Sequence, residues 1–120
     1  MGTRAVITFI DEDNTFHVYK HWDGDPRSIL HCIECTKVFA WELPRFEADE
    51  FAAAFIAANK TKGGGDIRLT HNYEDHSDLE FRYEVRLSRM QLEVRVFTPV
   101  YDSNSDIIGW VKYVPETEEA

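Results

Sequence analysis

The stretch Leu79-Glu80-Phe81-Arg82-Tyr83-Glu84-Val85-Arg86-Leu87, then Ser88-Arg89, then Met90-Gln91-Leu92-Glu93-Val94-Arg95-Val96, decides the fold. Apolar and charged or polar residues alternate through both runs. A period of two belongs to a β-strand with one face buried and the other wet. Ser88-Arg89 has room only for a turn, so the two runs predict an antiparallel hairpin. Its wet face carries Glu84, Arg86, Glu93 and Arg95, charges of both signs that can pair across strands.

Working outward, Thr3 to Ile10 reads as a strand, Asp11 to Asn14 as a polar turn, and Thr15 to His21 as a second strand. Asp25-Pro26 is a helix start: Asp caps free amides and Pro suits the first helical position. The helix is expected from Pro26 to Trp41, with Ile29, Ile33 and Thr36 or Lys37 on its inner face and Pro44 stopping it. Phe46 to Lys60 is the clearest helix, with Phe51 and Phe55 one turn apart. Glu47, Asp49 and Glu50 lie in its first turn and Lys60 and Lys62 at its end, the signs the helix dipole favours. Gly63-Gly64-Gly65 is a flexible exit. Ile67 to His71 reads as a short strand, Asn72 to Asp78 as an acidic loop, Pro99 to Asp106 as another loop, and Ile107 to Val114 as the last strand. The order β-β-α-α-β-β-β-β predicts an α+β fold, a mainly antiparallel sheet of five to six strands with both helices packed on one face. Residues 1–114 form one domain, and the acidic tail 115–120 is expected to be disordered.

The formal charge is −9, from 22 acidic and 13 basic residues. Direct binding to nucleic acid is disfavoured, because phosphate neutralisation needs a basic surface; docking on a basic partner protein is permitted. No stretch has the ~20 apolar residues of a membrane span. The start lacks a signal peptide's apolar core, and two cysteines do not make a disulfide scaffold, so a cytoplasmic protein is expected.

Several groupings could carry chemistry, and each has a plainer alternative. Cys32-Ile33-Glu34-Cys35 falls mid-helix, away from the helix start that a redox pair needs, and His31 is placed on a different face from Cys35. Two small packed residues are the plainer reading. His17, Tyr19 and His21 alternate, so a strand sets them on one face near Asp23. Glu74, Asp75 and His76 lie close to His71 in the acidic loop, where carboxylate and imidazole can tune one another or cap a turn. The corner Trp22-Asp23-Gly24-Asp25-Pro26 is the most unusual stretch, with Trp22 expected to pack under the helix. No nucleophile elbow, P-loop or zinc-protease motif is present, and no cofactor or metal is called for.

The corner, read as Tyr19-Lys20-His21-Trp22-Asp23-Gly24-Asp25-Pro26, resembles a group of small uncharacterised bacteriophage and prophage proteins with a Y-x-H-W/Y-D-G-x-P motif after an N-terminal hairpin. Gly64 to Thr70 and Asp78 to Val85 are similar to the same group. Asp25 departs from it, since relatives often carry Tyr there. The resemblance implies a mobile-element origin and a similar fold, and brings no activity with it.

Three functions follow as expectations. The first is a non-enzymatic accessory protein in the bacterial cytoplasm. It would bind a host protein with a basic surface, and so inhibit nucleic-acid machinery or a defence complex. Its candidate contacts are Glu47, Glu50, Glu74 and Asp75, with the corner residues Trp22, Asp23 and Asp25. The second is a nucleotide or metal binder, or an enzyme, using His17, Tyr19, His21, Asp23, His71, Asp75 and His76. A structural component that oligomerises through an open sheet edge is a third.

Overall fold

The computed structural model describes residues 2–61 and 64–113. Lys62, Gly63, Val114 and the acidic tail lie outside the described residues. The expected order holds: β1 (Ala5–Ile10), β2 (Thr15–Lys20), α1 (Pro26–Phe39), α2 (Ala48–Asn59), β3 (Ile67–Thr70), β4 (Phe81–Ser88), β5 (Gln91–Tyr101) and β6 (Ile107–Lys112). The strands form one sheet in the order β3-β2-β1-β4-β5-β6. Four of its pairings are antiparallel and β1–β4 is parallel.

The alternation in the two hairpins sorts the sheet into two faces. Ala5, Ile7 and Phe9 of β1 lie level with Phe81, Tyr83 and Val85 of β4, and Val94 and Val96 of β5 continue the rows. This face takes both helices. Phe51 and Phe55 of α2 pack on Phe9 at 5.9 and 5.5 Å between ring centres, and Ile29 and Ile33 of α1 complete the core. Thr36 is the third buried position of α1; its hydroxyl donates to the Cys32 carbonyl, and the Asn59 amide joins the same cluster.

α1 begins as expected, with Asp25 accepting from the Ser28 amide and Pro26 in its first turn. Several boundaries differ. α1 stops at Phe39 rather than Trp41, and α2 starts at Ala48, with Glu47 at its cap position. Pro99 to Tyr101 belong to β5, not to a loop. The Tyr113 amide donates to the Val96 carbonyl. Antiparallel alternation then leaves Pro99, opposite Trp110, in a pair that needs no amide from Pro99.

The corner also differs. Trp22 does not pack under the helix; it is 47% exposed. Gly24 occupies the tight position instead. A Cβ there would lie 2.6 Å from the Thr3 carbonyl oxygen and 2.7 Å from Ala5 Cβ. The Tyr83 hydroxyl donates to the Gly24 carbonyl from within the core.

On the second face, residues 71–80 must cross from the outer strand β3 to the start of β4 beside β1. They run over β2 and β1, bringing Leu79 into a small cluster with Val6 and Tyr19. Tyr73 and Trp110 pack against that cluster.

Candidate functional site

The expected histidine face forms, through separate hydrogen bonds and one stacked pair. His17 Nδ1 lies 2.8 Å from the Thr8 hydroxyl. Burial, assisted by the Arg82 charge, holds the His17 pKa below its usual 6.5. The Tyr19 hydroxyl lies 2.9 Å from His21 Nδ1, and an Arg4 guanidinium nitrogen 3.3 Å from His21 Nε2. Arginine only donates, so Nε2 accepts and the proton sits on Nδ1, which donates to Tyr19. His76 comes from the acidic loop and stacks on Tyr19, 4.3 Å between ring centres and 13° from parallel. Its Nε2 lies 2.9 Å from the Thr70 hydroxyl, which itself donates to the Asn72 carbonyl. The structure thus brings together His17, Tyr19, His21 and His76. Asp23 is exposed in a left-handed turn (φ 56°), and His71 and Asp75 are exposed and stand outside this group.

Burial raises the Tyr19 hydroxyl pKa, with Asp78 adding to the effect. Tyr19 and His21 bond each other, while His17 and His76 are held by Thr8 and Thr70, so the four rings build a layer on the sheet. Beside it runs an open trough lined by Tyr73, Glu74, His76 and Ser77 on one side and Asp106 to Trp110 on the other. The Arg82 guanidinium lies 4.0 Å from the Tyr73 ring centre and is held by Glu84 at 2.7 Å. Among the described residues, no three His, Cys, Asp or Glu side chains converge as a metal-binding group.

The cysteine pair is mid-helix, as expected, and burial raises the Cys32 thiol pKa. His31 faces Cys35 rather than away from it, with Nε2 and Sγ 3.6 Å apart. Positions four apart on a helix are neighbours, which corrects the sequence expectation.

The acidic groups assemble differently. Asp11 follows β1, and its carboxylate accepts from the Asp13, Asn14 and Ala48 amides at 2.8, 2.7 and 2.7 Å. These bonds hold its pKa below the usual carboxylate value, the Ala48 bond most of all. Because Ala48 opens α2, the same carboxylate fastens the hairpin turn to the helix start. Glu12 and Asp13 therefore stand beside Glu47 in one hollow at this end. Glu50 bends to accept from the Trp41 amide at 3.2 Å, which ties in the α1–α2 connection.

The last turn of α1 and that connection carry exposed apolar groups. Val38 is 82% and Phe39 60% exposed, and Trp41 lies under the Arg45 guanidinium at 3.4 Å. Lys37, Val38, Trp41, Glu42 and Leu43 line one shallow hollow. Glu47 and Glu50 thus belong to an acidic, aromatic end, whereas Glu74 and Asp75 lie on the second face. Asp25 is spent on the α1 cap.

The sequence reading missed Asp11, Phe39 and Trp41 as functional candidates. The Asp11-x-Asp13-Asn14 turn signals a carboxylate that caps local amides, but its reach to Ala48 is a tertiary contact. No family model matches the chain, and no curated protein or solved structure matches it either.

Proposed function

We propose that this chain is a non-enzymatic interaction protein that docks a basic partner protein on its acidic end. The observation that supports this best is the Asp11–Ala48 hydrogen bond, which holds Glu12, Asp13 and Glu47 around one hollow at the start of α2, where Glu50 in the first turn accepts from the Trp41 amide. Carboxylates steer a basic surface and set its orientation, while exposed aromatic groups supply the desolvated centre that a specific contact needs. The resemblance of the Tyr19–Pro26 corner extends the reading to a phage-type accessory factor in the bacterial cytoplasm. Its target would be a host protein whose basic groove otherwise takes nucleic acid. Among the described residues, no helix is long and apolar enough to cross a membrane.

The test is a pull-down from bacterial lysate with the natural chain and with a Glu12→Lys/Glu47→Lys variant. A partner held at low salt, released as salt rises, and lost from the variant supports the proposal. No partner at low salt, or a partner indifferent to the variant, rejects it.

A second reading has one supporting observation, the convergence of Tyr19, His21 and His76 beside the Tyr73–Trp110 trough. There an aromatic ligand such as a nucleotide base would stack. It predicts a rise in melting temperature with nucleotide or divalent metal that His21→Ala removes. No shift with either defeats it.

A further inference from the structure

We propose that the exposed ring of Trp41 is the docking point for an arginine side chain of the basic partner, and that Arg45 holds its place in the free chain; the proposal rests on the acidic-end reading and adds the residue type which that end selects. α1 closes at Phe39, with the Ala40 amide donating to the Thr36 carbonyl. Glu50 accepts from the Trp41 amide at 3.2 Å, which fixes the Trp41 backbone against the first turn of α2. The Arg45 amide donates to the Glu42 carbonyl, so the chain turns back over residues 42–45. That turn sets the Arg45 guanidinium 3.4 Å from the Trp41 ring centre.

Two observations say what this ring takes. The first is Arg45 itself. It is exposed, with Glu42 and Glu47 close in sequence, yet among the described residues it forms no ion pair and lies on Trp41 instead. An indole face attracts a guanidinium, and that planar, weakly hydrated ion stacks there better than an ammonium. At an exposed site the contact is weak enough for an incoming guanidinium to exchange with it. The second is charge. Residues 38–50 carry Glu42, Glu47, Asp49 and Glu50 against Arg45 alone, so a partner's arginine brings the sign this segment lacks. Beside the ring, Val38, Leu43 and Phe51 line the shallow hollow that would cover the arginine's aliphatic stem. Lys37 at its rim is already met by Glu34 at 2.8 Å. Phe51 packs on Phe46, 5.3 Å between ring centres, and Phe46 lines the acidic hollow with Glu12, Asp13 and Glu47. The two hollows are therefore neighbours across one aromatic pair, within reach of one short basic segment.

The test is fluorescence anisotropy of labelled hexa-arginine and hexalysine peptides titrated with the full chain at low salt. The natural chain should hold hexa-arginine about threefold more tightly than hexalysine. Trp41→Leu should remove that preference by weakening hexa-arginine the more. Arg45→Gln empties the ring and should tighten hexa-arginine about twofold beyond the effect of Arg27→Gln, which makes the same charge change at the far end of α1. Thermal melts check that each variant folds. Equal affinities for the two peptides, a preference that survives Trp41→Leu, or an Arg45→Gln chain no tighter than Arg27→Gln overturns the proposal and leaves the acidic-end reading standing. Binding of neither peptide overturns both.

Discussion

Gly24→Ala is the sharpest test of how the corner is built. The added methyl would sit 2.6 Å from the Thr3 carbonyl oxygen and 2.7 Å from Ala5 Cβ. Neither neighbour is the end of a flexible chain, so backbone must move. Overpacking of this kind costs about 1–3 kcal/mol. The displaced segment also carries two bonds, the Gly24 amide to the Thr3 carbonyl at 2.8 Å and the Tyr83 hydroxyl to the Gly24 carbonyl. Weakening the buried Tyr83 bond adds about 1 kcal/mol, for a total near 3 kcal/mol. In a domain of this size that lowers the melting temperature by roughly 10 °C, read by calorimetry or circular dichroism. Gly65→Ala is the control: a Cβ there would meet only the Arg68 side chain, at 3.6 Å, and it should leave the melting temperature within about 3 °C of the natural chain. A Gly24→Ala chain that melts with the natural protein would refute the tight-corner account.

Three further outcomes are expected. Phe55→Ala removes a fully buried ring that packs on Phe9 and should cost about 3–5 kcal/mol, measured by urea unfolding. Asp66→Ala strands the buried Lys20 ammonium, now paired at 2.8 Å, and frees the Trp22 amide; a loss of about 3 kcal/mol is expected from the same measurement. His17 has a depressed pKa, so the folded state holds it neutral and the unfolded state takes up its proton first. Its contribution is complete above the ordinary value of about 6.5 and declines as pH falls below it; His17→Gln should flatten the fall in urea midpoint between about pH 7 and 5.5.

The sheet was legible because Leu79–Leu87 and Met90–Val96 alternate strictly, and the structure pairs them directly, Tyr83 opposite Val96 and Val85 opposite Val94. The α1 start was legible because capping is local chemistry: Asp25 and Ser28 are three residues apart. Pro99 was misread because a missing amide matters only in some pairs of a ladder, and which pairs those are depends on register. Trp22 was misread because the tight space was claimed by Gly24, through contacts with Thr3 and Ala5 that no local pattern announces. The charges of β4 and β5 are opposite in register as expected, Glu84 to Arg95 and Arg86 to Glu93. The ion pairs nevertheless run along each strand, Arg82 to Glu84 at 2.7 Å and Arg95 to Glu93 at 3.4 Å.

The candidate sites divide the same way. The shared face of His17, Tyr19 and His21 follows from strand periodicity, and His76 joins them only because the β3–β4 connection crosses the sheet. The acids were visible as separate clusters. That the hairpin turn and the α2 start are one surface depends on Asp11 reaching Ala48 across 37 residues.

A basic partner is expected to dock on the acidic end. Zero-length coupling of carboxylates to partner lysines in bacterial lysate, mapped by mass spectrometry, tests it most directly. Coupling concentrated at Glu12, Asp13, Glu47 and Asp49 is the predicted result. Coupling at Glu74 and Asp75 with none at the acidic end would contradict it.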